Sequence, residues 1–370
     1  MKKLLNIVIL FSIVFIMIFI NSCQKSNEEN KFKIGADFSL SGNLAYWSLE
    51  LKKGMDFAKT EVDKSNKLQI IYEDNKGKAS DAVNIFKKLA TVDNVNVLIT
   101  CFTPIGQPLR DLAFTYKTPL VATVTSAHNF AAINDWTFRD FPTQDQQASA
   151  LAKYVFETMK LKKGSYLIVN DDYGKDGAKI FKETFNKLGG QFLEGEYFTQ
   201  TDLNMRNQIN KVLKNKPEFL LIIGRDQALA TVCKQIREVN KDVKIVGVNA
   251  FDASIVWESI GDAGEGIVFT SAFVDYENNP NAKKFKDDFF KVHNEIPSYV
   301  AVYGYTITKY LFDIFEKVGS DNQKIKNELE RLNVSSIRGE LKINGVRDII
   351  SPIGIYLRKE GKTNLLVKAE

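Results

Sequence analysis

Short apolar runs alternate with amphipathic stretches along most of this chain. The runs Lys33–Phe38, Leu68–Glu73, Asn96–Cys101, Pro119–Val124, Ser165–Asn170, Glu218–Ile223, Lys244–Val248 and Gly266–Thr270 have the length and near-continuous hydrophobicity of strands buried on both faces. Between them the apolar positions take helical spacing. Leu51, Met55, Ala58 and Val62 make one stripe, and Ala82, Ile85, Phe86 and Leu89 a second. Ala148, Leu151, Ala152, Val155, Phe156 and Met159 make the clearest, with all six on one helix face. Strand and helix in alternation predict a parallel sheet with helical crossovers. Two successive sets of them predict an α/β chain of two doubly wound, parallel-sheet lobes. After Phe273 the character changes to a turn-rich stretch, Asp275–Asn281, helical patterns over Ala282–His293 and Ser298–Val318, and a tail of strand-like runs ending at Leu365–Val367. No long linker or repeat interrupts the chain, so several short crossings are expected to join the lobes.

The N-terminus follows a different pattern. Lys2 and Lys3 precede an apolar run, Leu4–Ile20, broken only by Asn6 and Ser12. Residues 1–22 read as a signal peptide, and Ile20-Asn21-Ser22-Cys23 resembles the bacterial lipobox, which makes Cys23 the expected site of lipidation. Asn21 is larger than the small residue usual at its position. The other reading is an uncleaved membrane anchor, against which stands the polar stretch Gln24–Lys33 that follows at once. Residues 23–30 would then be a tether, and either reading leaves the rest of the chain outside the cytoplasm.

The 370 residues carry 44% hydrophobic and 26% charged side chains, enough for two globular cores. Loss of Lys2 and Lys3 with a leader lowers the formal net charge from +5 to +3, and acids and bases mix along the whole length. That distribution argues against a nucleic acid partner. Cys101 and Cys233 fall in different predicted lobes and are expected to be buried free thiols. The two histidines, His128 and His293, have no metal spacing, and no P-loop, dinucleotide fingerprint or nucleophile elbow occurs. No metal, cofactor or catalytic group is therefore expected. Asp171 and Asp172, at the end of the Ser165–Asn170 run, read as turn and helix-cap residues or, alternatively, as carboxylates of a site.

Chemistry gathers instead at the carboxyl ends of the predicted strands, where open α/β sheets bind ligands. The first is followed by Ser39-Leu40-Ser41-Gly42-Asn43-Leu44-Ala45-Tyr46-Trp47, the third by Phe102-Thr103-Pro104-Ile105-Gly106-Gln107-Pro108, and the fourth ends in Thr123-Val124-Thr125-Ser126. Hydroxyls and free N–H groups at helix starts suit a carboxylate or similar anion.

With these residues in place, the chain resembles the type I periplasmic substrate-binding proteins, in particular the leucine/isoleucine/valine-binding family of ABC transporters. The resemblance runs from Ile34 to about Tyr356. It is carried by Ile34-Gly35, Ser41-Gly42 and Trp47, Tyr72-Glu73-Asp74-Asn75, Gln107-Pro108, Phe138-Arg139, Asp172-Tyr173-Gly174-Lys175-Asp176-Gly177 and Gly261-Asp262-Ala263-Gly264-Glu265-Gly266. It implies two lobes joined by a multi-strand hinge and closing over a ligand. Residues 31–144 with 274–350 would form lobe 1, and 145–273 with 351–370 lobe 2. Trp47 would pack on the ligand, Thr103 would hold its carboxylate with the backbone near Thr125 and the hydroxyl of Ser126, and Tyr173 would arrive from lobe 2.

The chain departs from the family where amino-acid-binding members place a glutamate after the Lys244–Val248 strand; here stands Asn249. Arg225-Asp226 occupies the place of a frequent tyrosine. A neutral amide in place of an ionic acceptor forfeits a charge-assisted bond of about 1.5–3 kcal/mol. Asp226 supplying the charge, Arg225 binding an anionic ligand, and an Arg225–Asp226 surface pair are the three readings. The expected function is a non-enzymatic lipoprotein that captures a small polar solute, an amino acid or related compound, for an ABC permease. A sensory binding protein presenting its ligand to a membrane receptor is the alternative, and an extracellular enzyme using Asp171, Asp172 or Asp226 is the weakest.

Overall fold

The computed structural model describes residues 31–369. The leader, Cys23 and the 23–30 tether lie outside the described residues. The first sheet is wholly parallel: β1 (Phe32–Phe38), β2 (Leu68–Asp74), β3 (Val97–Cys101), β4 (Leu120–Thr123) and β5 (Thr137–Arg139), in the order β2-β1-β3-β4-β5. The first four match the apolar runs to within two residues; β5, with three, is too short to stand out as a run.

The second sheet holds β6 (Lys163–Val169), β7 (Gln191–Phe192), β8 (Glu196–Phe198), β9 (Phe219–Ile223), β10 (Lys244–Gly247) and β11 (Val268–Ala272). A small antiparallel sheet follows, of β12 (Asn333–Ser336), β13 (Gly339–Ile343) and β14 (Ile349–Ile350). The hairpin of β15 (Ile353–Lys359) and β16 (Lys362–Ala369) then returns to the second sheet, pairing antiparallel with β11. The second sheet is therefore mixed: a parallel centre like that of the first, with an antiparallel edge. The chain leaves the first sheet for the second after β5, leaves the second for helices and the small sheet after β11, and returns to the second between β14 and β15.

Helices cover the sheets where the stripes required. Leu51, Met55 and Ala58 of the Ala45–Val62 helix are buried, as are Ala148, Leu151, Ala152 and Val155 of the Gln144–Glu157 helix. The Ala45–Val62 and Tyr299–Val318 helices cross at paired glycines. A Cβ on Gly54 would sit 1.9 Å from the Ala301 carbonyl oxygen, and one on Gly304 2.1 Å from that of Leu51. No other residue permits backbones this close.

The crossings are pinned by charge. Arg139, at the end of β5, grips Asp348 through Nε and Nη2 at 2.8 Å each, and its Nη1 donates to the Ala127 carbonyl. The neighbouring Asp140 accepts from Arg338 Nη2 at 2.7 Å, and that guanidinium lies 3.9 Å over the Tyr303 ring. All four charged side chains are buried. Cys101 and Cys233 are buried free thiols, as expected; burial pushes both up to about 12.

Candidate functional site

The carboxyl ends of the parallel strands of both sheets face one another across a closed cleft. The cavity left between them measures ≈ 20 Å³, room for about one water molecule. Trp47, Phe102, Val124, Ser126 and Phe141 line it from the first lobe, and Tyr173, Arg225, Asn249 and Ala250 from the second. Hydrogen bonds between the two sides close the cleft around it. The Trp47 indole N–H donates to Asp226 Oδ1 at 2.7 Å, Asn249 Nδ2 donates to the Tyr299 hydroxyl at 3.1 Å, and the Tyr46 and Ser254 hydroxyls lie 3.1 Å apart. An amino-acid-sized solute can enter only when the lobes part.

Local backbone sets these side chains in place. Among the described residues, thirteen non-glycine positions have positive φ, and most are Asn, Lys or other residues of turns and helix ends. The aromatic and the β-branched members of that set are Phe102 (φ 71°) and Val124 (φ 48°), at the ends of β3 and β4, both on the cavity wall. Asp226 (φ 47°) stands three residues past β9 and begins the Asp226–Val239 helix. Strained backbone at bulky residues collects at binding sites, where surrounding structure holds it.

Six of the eight residues expected at the site meet here: Trp47, Ser126, Tyr173, Arg225 and Asn249 on the cavity wall, and Asp226 bonded to Trp47. Thr103 and Thr125 are buried close by but lie off the cavity wall, and the Thr125 hydroxyl donates to the Thr123 carbonyl at 3.0 Å. The Arg225–Asp226 surface pair is corrected. Arg225 instead donates to Asp171 Oδ2 at 2.8 Å and stacks 4.2 Å from the Tyr173 ring centroid, while Asp226 turns to Trp47. Asp171 also caps the Asp172–Lys187 helix, accepting from the Gly174 N–H at 3.0 Å.

Phe102, Val124, Phe141 and Tyr299 escaped the sequence reading as site residues. Phe102 and Val124 stood within the strand-end segments already singled out, but a left-handed φ at such residues leaves no mark in composition or periodicity. Phe141 and Tyr299 arrive from the crossing after β5 and from a distant helix start.

Asp226 is the electrostatic feature of the cleft. Burial raises its carboxyl to about 6, against the opposing pull of the Trp47 bond and the Arg225 charge. Its Oδ2 is buried with no hydrogen-bond partner. Burial also raises Tyr173 and Tyr299, so both phenols stay neutral donors. Asn249 is already engaged, its Nδ2 with Tyr299 and its Oδ1 accepting a long 3.5 Å contact from the Tyr173 hydroxyl. A larger cavity, ≈ 590 Å³, opens on the first lobe beside the β12–β13 hairpin, away from the strand ends. On its wall Glu61 is paired with the Tyr305 hydroxyl and Lys309, so the cleft remains the candidate site.

The comparisons agree with this architecture. Leu/Ile/Val-binding protein homolog 3 of Brucella melitensis is 24% identical over 260 residues, 68% of this chain and 69% of that protein. Leu/Ile/Val-binding protein BraC3 of Rhizobium johnstonii is 25% identical over 266 residues, 69% and 71% of the two chains. The crystal structure of a leucine binding protein, LivK, from Thermotoga maritima superposes with a TM-score of 0.85 at 21% identity, over 92% of this chain and 99% of that one. A solute binding protein of an ABC transporter from Rhodopseudomonas palustris, in complex with 3,4-dihydroxybenzoic acid, gives 0.83 at 20% identity, over 92% and 97%. At these identities the structural likeness establishes the fold. The family model described as periplasmic binding protein matches residues 31–348, and the chain belongs to that family of non-enzymatic, extracytoplasmic solute-binding proteins.

Proposed function

We propose that this protein captures a small polar solute, an amino acid or a related compound, between its lobes and delivers it to an ABC permease, held at the membrane by a lipid on Cys23. The observation that carries this reading is the cleft itself, a cavity walled by strand ends from both sheets and closed by hydrogen bonds between them. Residues 31–144 with 274–350 act as one lobe, and 145–273 with 351–370 as the other. Closure excludes water and couples binding to shape, the form a permease recognises. Trp47 and Tyr173 pack on the solute. Ser126, with the backbone around Thr103 and Thr125, receives its carboxylate, while Arg225 and Asp226 set the charge and Asn249 braces Tyr173 and Tyr299. Relatives carry the name Leu/Ile/Val-binding, and structural neighbours hold isoleucine or hydroxybenzoates, which brackets the solute among small carboxylates.

Thermal unfolding of the purified protein against amino acids, their amides and small carboxylates tests the reading. A ligand at a hundred times its Kd stabilises by about 2.7 kcal/mol, a clear rise in Tm. No rise with any of them would count decisively against a solute trap. For the anchor, Cys23→Ser should move the protein from the membrane fraction to the soluble one; retention in the membrane would favour an uncleaved leader.

A further inference from the structure

We infer that the solute carries an ammonium group and that Asp226 receives it, at a place where the indole N–H of Trp47 now stands in for the ligand. The inference rests on the solute-trap reading and narrows it. Among the residues lining the cavity and those bonded to them across the cleft, the charged groups are Arg225, Asp171 and Asp226. Arg225 and Asp171 neutralise one another at 2.8 Å. Asp226 is left without an ion pair, holding one neutral donor on Oδ1 and none on its buried Oδ2. A buried carboxylate oxygen without a donor is costly. It is relieved by a ligand that brings N–H groups and positive charge.

Position 249 offers less. The Asn249 amide is neutral, its Nδ2 is bonded to Tyr299, and its Oδ1 already faces the Tyr173 hydroxyl. The acceptor open to a cation therefore stands after β9, against the Trp47 face of the cleft, and not at position 249. A benzoate-like anion, of the kind several structural neighbours hold, would bring a second negative charge beside Asp226. The same cleft therefore selects against it.

Matched probes test this by calorimetry at pH 7.5 on the purified protein. The probes are the twenty amino acids, 4-methylpentanoate as leucine without its amino group, benzoate and 4-hydroxybenzoate. The expected result is binding of one or more amino acids, with the desamino and aromatic acids at least tenfold weaker. Asp226→Asn, whose amide oxygen can still accept from Trp47, should weaken the best amino acid roughly ten- to a hundredfold. Asp226→Glu should lose less than Asp226→Asn, a split that a merely structural role would not produce. The Trp47 indole N–H resonance, assigned with Trp47→Phe, should shift on binding as its acceptor is shared. Tight binding of benzoates or 4-methylpentanoate with none of amino acids overturns the inference and leaves the solute trap standing, as does an Asp226→Asn variant that binds unchanged. Binding of no probe overturns both.

Discussion

The hinge and the cleft treat buried charge in opposite ways. At the crossings, Arg139 meets Asp348 through two bonds of 2.8 Å, and Asp140 meets Arg338 at 2.7 Å, each charge facing its opposite inside the protein. In the cleft, half-buried Asp226 has no ion pair, and its buried Oδ2 lacks a donor, as Asp140 Oδ1 does in the hinge although Asp140 has its arginine. Paired charges fix geometry where the chain passes between lobes; an unpaired one leaves a charge unmet where a solute enters. The largest expected effect breaks the first half of this contrast. Arg139→Met leaves Asp348 buried and uncompensated and should cost ~3–5 kcal/mol, read from urea unfolding. The double change Arg139→Met with Asp348→Leu should recover most of that loss, since it removes both charges. A single variant as stable as the wild type would show that the pair does not pin the hinge.

The next test is of pH and sharpens the second half. Burial without an ion pair raises Asp37 and Asp226 to about 6 and Asp252 to about 7, against 3.8 for a free carboxyl. A carboxyl with a raised folded pKa binds protons more readily when folded. Its contribution to stability is present in full below about 3.8 and is lost as pH rises through 6 to 7. The protein should therefore melt higher at pH 5 than at pH 8. Asp226→Asn should remove roughly 1 kcal/mol of that difference while keeping the indole bond. If its pH profile superposes on the wild type, Asp226 is not titrating in this window.

Much of this architecture was legible in the chain, and the omissions have physical causes. Eight apolar runs located β1–β4, β6 and β9–β11, since a strand covered on both faces is apolar nearly throughout. β5, β7 and β8 have two or three residues, too few for any period, and β12 alternates exposed and half-buried positions within Asn333–Ser336. At the site, strand ends named Trp47, Ser126, Tyr173, Arg225, Asp226 and Asn249, since topology places them there whatever they bond to. Partner choice was not legible. Arg225 lies next to Asp226 in sequence, yet an Arg225 side chain leaving β9 meets Asp171 at the end of the adjacent β6, a neighbour fixed only by sheet order. The left-handed turns at Phe102 and Val124 were equally hidden, because local preference argues against them and only the assembled cleft imposes them.

Those two turns give the smallest expected effect and the finest test of the contrast. Val124 is β-branched and stands at φ 48°, where a Cβ costs ~1–2 kcal/mol. Val124→Gly relieves that strain, but it also strips a half-buried side chain from the cavity wall and loosens the unfolded chain by ~0.5–1 kcal/mol. These terms oppose one another, so stability should stay within about 1 kcal/mol of the wild type. Lys117, at φ 51° on the C-cap of the Arg110–Tyr116 helix, is exposed and far from the cleft; Lys117→Gly should change stability by no more. The two variants separate on binding. Val124→Gly widens a cavity of ≈ 20 Å³ and frees the loop that carries Ser126, so its affinity for the solute should fall while that of Lys117→Gly stays put. Equal affinities in the two would mean that the backbone strain beside the cleft belongs to folding alone and takes no part in shaping the site.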